Sequence, residues 1–251
     1  KPPLLSWFIA AYSFIFGEGF FSLKLFPSIV YFLTAWAVYR LCKNLNFKEN
    51  TALSCSLLFL FIPAVSFSSF VLSTDIFLLL FWTLSLNELI KIKKKPSLKN
   101  FIFLGIFLGC CFLSKYVAVY FFISCLLYVL VDKNFRIFFL KNYLGFSLSF
   151  FCCFLILIPN IIWNFNNGWV TLQHTSDNAN LVNMKIDIFR GVEFLGIQIL
   201  MVGPVLFLAS IFNYRIFTIN EIQKFLLIFS LPIFLIVFIE AVFVRANANW
   251  A

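Results

Sequence analysis

Charge is scarce in this sequence. Only 12% of its 251 residues are Asp, Glu, Lys or Arg, while 63% are hydrophobic and the mean hydropathy is +1.00. A soluble domain is about 45 to 50% apolar and about 25% charged, so there is too little polar surface here to cover a water-soluble fold. The bilayer takes the place of water as solvent. Histidine occurs once, at His174, which excludes a multi-histidine metal site. The seven cysteines, Cys42, Cys55, Cys110, Cys111, Cys125, Cys152 and Cys153, lie in apolar spans or at their edges and lack CxxC spacing. The adjacent pairs Cys110-Cys111 and Cys152-Cys153 project from different helix faces, so they read as small apolar filler. A signal-type leader, an internal repeat and a Pro- or Ser-rich linker are also lacking. The sequence therefore reads as one membrane domain over residues 1–251. It starts at Lys1 and stops within a polar motif, and is expected to be a fragment truncated at both ends.

What is abundant is phenylalanine, with 38 residues, read as lipid-facing filler beside the plentiful Ile, Lys and Asn. The net charge of +9 does not point to nucleic acid, because the basic residues are split among short loops. Apolar runs of crossing length, or nearly so, fall at roughly 22–41, 50–66, 74–90, 100–114, 117–131, 142–162, 191–212 and 225–244, taking about 20 residues per crossing. The expected fold is an all-α polytopic transmembrane bundle of about eight spans, with a helix over Leu4 to Phe16 lying on the outer membrane surface. The fourth and fifth spans are separated because Ser114-Lys115 would otherwise place a charge mid-membrane, at about 2.5 to 3.5 kcal/mol or more. One set of loops then carries Arg40, Lys43, Lys48, Lys91, Lys93, Lys94, Lys95, Lys99, Lys133, Arg136, Lys141, Arg215 and Lys224, 13 of the 19 basic residues. By the positive-inside rule that side is cytoplasmic, and Lys1, Asp75, Lys115, the 163–189 loop and Arg245 face outward.

Those outward residues are the candidates for chemistry. Asp75 opens the third span, where a carboxylate persists by pairing with a cation, by capping a helix with Ser73 and Thr74, or by serving a site. Lys1 and Lys115 read either as solvated lysines or, with Arg245, as cations for an anionic head group. Pro159 to Trp169 ends a span with two Trp and four Asn residues. Interfacial anchoring accounts for Trp163 and Trp169, and turn chemistry for Asn167-Gly168. The next stretch, with His174, Asp177 and Asn178, suits hydrogen bonding to sugar hydroxyls, as does Asn164.

The order of these segments resembles the bacterial GT-C glycosyltransferases, the dolichyl-phosphate-mannose protein mannosyltransferase-like family that includes the lipid A aminoarabinose transferases. The motifs are Lys1-Pro2-Pro3-Leu4 leading to Trp7, Leu25-Phe26-Pro27-Ser28, Ser73-Thr74-Asp75, Leu113-Ser114-Lys115-Tyr116, Trp163-Asn164 leading to Asn167-Gly168-Trp169, and Ala248-Asn249-Trp250. The resemblance implies an enzyme that moves a sugar from a polyprenyl-phosphate donor to a lipid, glycan or protein acceptor at the outer, periplasmic face of the bacterial inner membrane. It implies that Lys1 contacts the donor phosphate, that Asp75 matches an acidic position near the active cavity, and that Lys115 matches the family's Thr/Ser-Lys lysine. The Trp163 to Asn180 segment would cover the cavity. The family's catalytic aspartate lies upstream of the Lys-Pro-Pro motif and is outside this chain, as is an acidic residue that helps bind a metal in some relatives. A divalent metal thus stays open as a cofactor, with no ligand identified here.

The expected reaction is an inverting displacement in which the upstream carboxylate deprotonates an acceptor hydroxyl while Lys1, with Lys115 or Arg245, stabilises the departing phosphate. The alternative is a polytopic transporter or lipid flippase, with the same polar groups binding cargo between broken helices. A third reading is a membrane scaffold without a common cavity.

Overall fold

The structure, a computed structural model, describes residues 2–179, 186–212 and 220–243. These residues form helices and connecting turns without a β-strand. The chain divides into two compact units, one comprising Lys1–Phe61 with Val65–Phe165, the other Ile62–Ala64 with Asn166–Ala251.

The first unit begins with α1 (Leu4–Phe16) and α2 (Phe20–Asn44), followed by α3 (Glu49–Phe61) and α4 (Pro63–Ser68). The run expected as one span over 50–66 breaks at Ile62, because Pro63 has no N–H and restricts the residue before it. α5 (Asp75–Lys94) and α6 (Leu98–Ser114) come next. A 3-10 turn at Tyr116–Ala118 then leads into α7 (Val119–Val131), α8 (Lys133–Lys141) and α9 (Tyr143–Asn166). The break at Lys115 stands as expected. Phe112 before it and Phe122 after it meet in a tilted contact with ring centroids 5.6 Å apart, folding α7 back against α6.

Small residues set the spacing at the centre of this unit. Ala37 and Ala52 are fully buried, and Ala35 nearly so. Ser56 of α3 donates to the Ala35 carbonyl of α2 at 2.8 Å, and Asn87 of α5 donates to the Ala37 carbonyl at 2.9 Å. Packing of this kind replaces the hydrophobic drive that lipid does not supply between helices. On α6, Gly105 and Gly109 form a small-xxx-small pair against α9. A methyl group at Gly105 would fall on the Ser149 carbonyl oxygen and lie 2.7 Å from Cys152 Cβ, and one at Gly109 would lie 2.7 Å from Ile156 Cβ.

α1 matches its expected bounds. It is shorter than a crossing and packs through Phe8 on Phe77 (4.6 Å between centroids) and through Tyr12 on Phe26 (4.8 Å). Its remaining surface is apolar and exposed, as in Phe14 at 92%, which suits lipid rather than water.

The second unit holds α10 (Val170–Ala179), α11 (Ile188–Val202), α12 (Pro204–Phe212), α13 (Glu221–Ile228) and α14 (Leu231–Phe243). Phe194 packs with Val237 and Ala241 to tie α11 to α14. The span expected over 191–212 turns through 99° between α11 and α12. Gly203 has φ of 95° there, a left-handed conformation suited to glycine, and Pro204 follows it.

By length and apolarity, three stretches among the described residues can cross a membrane: Phe20–Asn44, Tyr143–Asn166 and Glu221–Phe243. Counting each bent pair as one span gives five, short of the eight expected. The shortfall has three sources. Pro63 cuts α3 to 13 residues, α6 has 17, and α5, though 20 residues long, carries Asp75, Glu88, Lys91, Lys93 and Lys94.

Candidate active site

The first unit sorts its polar side chains to two ends. At one end Lys94 reaches Asn46 at 2.6 Å, Lys43 pairs with Glu49 at 2.6 Å, and Lys93 bonds the Tyr128 hydroxyl beneath α8. At the other, the start of α5 meets the end of α6.

Asp75 occupies the first turn of α5. Thr74, in the N-cap position, makes no side-chain capping bond, so capping by that hydroxyl is not what places the acid. Its carboxylate instead accepts from Lys115 Nζ at 2.9 Å. Lys115 terminates α6 in an extended conformation (φ −158°, ψ 136°), with its N–H still bonded to the Cys111 carbonyl. The side chains are 21% (Lys115) and 44% (Asp75) exposed. An exposed pair contributes only about 0 to 1 kcal/mol to stability, so its importance is positional. It fixes an ammonium group at the joint of two helices while leaving part of it open. Buried Tyr31 lies beside Ser68 and within electrostatic range of Asp75.

One residue further on, the Tyr116 hydroxyl donates to Asn160 Oδ1 at 3.1 Å. Asn164 Nδ2 donates to the Asn160 carbonyl at 2.9 Å and to Asn160 Oδ1 at 3.3 Å. Asn160 and Asn164 are both buried. The expectation of a polar loop from 163 onward is corrected here. Because Asn164 satisfies itself on the carbonyl four residues back, the helix runs through Trp163 to Asn166 rather than ending. It stops at Gly168 and Trp169, both left-handed (φ 63° and 61°), and α10 follows where a loop was expected. Asn160 and Tyr116 were not singled out as site residues. The available signal was two asparagines four apart in an apolar helix, which lie on one face.

Of the remaining candidates, Trp163 sits half-exposed on α9 beside Asn164. Trp169, His174 and Asp177 belong to the second unit, all exposed, the latter two on α10. Lys1, Arg245 and the side chain of Asn178 lie outside the described residues. Among the described residues no three His, Cys, Asp or Glu side chains converge as a metal ligand set.

Chemically, the Asp75–Lys115 end offers a partly open cation with a carboxylate beside it, flanked by amide and phenol groups. A phosphate oxygen can replace or join the carboxylate at Lys115.

Comparison with known proteins gives two findings. The profile of the dolichyl-phosphate-mannose-protein mannosyltransferase family matches residues 1–163, a stretch that holds Asp75, Lys115, Tyr116 and Asn160. Lipid A galacturonosyltransferase RgtD of Rhizobium johnstonii is 26% identical over 255 residues, which covers 100% of this chain and 53% of that protein. The chain thus spans about half the length of the curated relative it matches. No solved structure matches it.

Proposed function

Because the chain belongs to the dolichyl-phosphate-mannose-protein mannosyltransferase family, we propose that it forms part of a membrane glycosyltransferase of the GT-C type. Its donor is a polyprenyl-phosphate sugar, its acceptor a lipid, glycan or protein, and it works at the outer face of the bacterial inner membrane. The observation that carries this reading is the ion pair between Asp75 and Lys115, forty residues apart in sequence and 2.9 Å apart in space, with Tyr116 and Asn160 adjoining.

In the proposed reaction an acceptor hydroxyl oxygen attacks the anomeric carbon, and the bond from that carbon to the phosphate oxygen breaks. The electron pair leaves with polyprenyl phosphate, and the hydroxyl proton passes to a carboxylate upstream of Lys1. Lys115 meets the negative charge that grows on the departing phosphate, together with Lys1 and Arg245, and Asp75 holds Lys115 in position. The Trp163 to Asn178 segment, His174 and Asp177 among its side chains, holds the sugar or acceptor by hydrogen bonds, and Asn164 supports that segment from within α9. A preorganised donor aimed at developing charge is worth about 10²- to 10³-fold in turnover.

The test is transfer of sugar from a polyprenyl-phosphate donor by the full-length enzyme in membranes. Lys115→Met is expected to lower kcat by about 10²-fold with unchanged expression and melting temperature. Unchanged turnover in a folded Lys115→Met enzyme would remove Lys115 from the reaction.

A further inference from the structure

The nine residues of α8 do not belong to the reaction described above, yet they form a distinct surface. α8 turns 110° from α7, so it lies nearly across the axis of that helix. Asp132 caps its first turn, accepting from the Phe135 N–H at 2.6 Å, and is itself buried. The inner face is aromatic. Phe135 stacks on Tyr128 with centroids 4.0 Å apart, and Phe139 packs on Phe146 at 4.6 Å. Beneath these rings is an apolar cavity of about 40 Å³, lined in part by Phe121, Phe135, Phe139 and Phe146. The inner packing therefore leaves a small void beneath the helix.

The outer face combines two chemistries. Lys133, Arg136 and Lys141 are exposed, and none forms an ion pair among the described residues. Between them on the helical wheel stand Ile137 and Leu140, 56% and 62% exposed. α8 contains no acidic residue. Water would leave the two aliphatic side chains unfavourably hydrated, and hydrocarbon would strip the three cations of theirs. The head-group boundary of an anionic bilayer accommodates both at once.

We propose that α8 is a docking helix for the anionic phospholipids of the membrane in which the protein sits. Ile137 and Leu140 enter the acyl boundary, and Lys133, Arg136 and Lys141 meet the lipid phosphates. The charge on the helix is wholly positive, and each such cation strengthens attachment to an anionic surface by about fivefold. The assignment is independent of the sugar-transfer reading, since it involves none of the residues placed there.

The experiment is hydrogen exchange of the full-length protein in two kinds of nanodisc, one mixing phosphatidylglycerol with phosphatidylcholine and one of phosphatidylcholine alone. Amides of residues 133–141 are expected to exchange at least about fivefold more slowly in the anionic discs, with α5 and α6 unchanged. The variant K133Q/R136Q/K141Q should abolish that difference. Inorganic phosphate added to phosphatidylcholine discs should not reproduce it. Equal exchange of wild-type α8 in both discs, slowing that survives in the triple variant, or slowing produced by phosphate alone would each overturn the proposal.

Discussion

The two ends of the first unit hold their polar residues in opposite ways. At the Asp75–Lys115 end an acid and a base are matched across helices, with a tyrosine hydroxyl and asparagine amides beside them. At the other end Arg40, Lys43, Lys48, Lys91, Lys93, Lys94, Lys95, Lys99, Lys133, Arg136 and Lys141 stand against only Glu49, Glu88 and Asp132. There Lys43 and Lys91 pair with Glu49 and Glu88, other lysines reach neutral partners such as Asn46 and Tyr128, and the remaining cations outnumber the acids. A balanced, inter-helical pair is what a binding site needs to hold a cation in place. A one-signed excess is what attachment to an anionic surface needs. On the two proposals made above, sugar transfer and lipid attachment fall at opposite ends of the same helices.

That contrast can be broken at several points. The largest effect is expected where the charges are paired. Asp75→Asn and Lys115→Met should each depress sugar transfer in the full-length enzyme, and the double variant should fall no lower than Lys115→Met alone, because Asp75 acts through the lysine. Losses that multiply in the double variant would show the two side chains acting separately. Next comes the helix contact that sets the position of Lys115. Gly105→Val drives a side chain into the Ser149 carbonyl and should destabilise the protein by about 1 to 3 kcal/mol, read as a lower melting temperature together with reduced transfer. If melting fell while transfer per folded molecule held, the α6 to α9 contact would be structural only.

A smaller effect belongs to the basic end. Asn87 is buried and joins α5 to the Ala37 carbonyl and to Asn44 of α2. Asn87→Leu should cost about 0.6 to 2 kcal/mol in thermal unfolding and leave kcat unaltered, as expected of a scaffold. The smallest effect concerns Glu49. Hydrogen bonds from Lys43 and then Tyr39 hold its exposed carboxyl below the ordinary carboxylate range. A depressed folded pKa means that the contribution is present above the unfolded value and fades as pH falls through the folded one. Melting temperature should therefore drop slightly on acidification through and below the usual carboxylate range, and Glu49→Gln should remove that part of the dependence.

Much of this architecture was legible in the sequence, for identifiable reasons. Gly17 ended α1, and the charge on Lys115 marked the joint between α6 and α7, because bare backbone and buried charge are both costly in lipid. The acid at the start of α5 also stood out. Its direct pairing with Lys115 did not, since nothing local reports a contact between residues forty apart. α8 was hidden because its three cations made a nine-residue amphipathic helix look like a loop. Asn164 fell in the expected 163–189 loop, although its spacing from Asn160 lets one satisfy the other within a helix. Pro63 and Pro204 were visible breakers, yet the unbroken apolarity around them concealed the bends. Gly105 and Gly109 were equally visible, but only the facing atoms of α9 reveal how close the two backbones come.

The absence of side chains at Gly105 and Gly109 has a mechanical consequence. Sliding α6 along α9 by a single residue, about 1.5 Å, would carry those bare positions out of register with Ser149 and Ile156 and jam bulkier neighbours into the gap. The two helices are keyed like a ratchet tooth in its notch, so the depth of Lys115 relative to Asn160 is set by contacts two helical turns away. Any motion that admits a substrate must carry α6 and α9 together or leave both still.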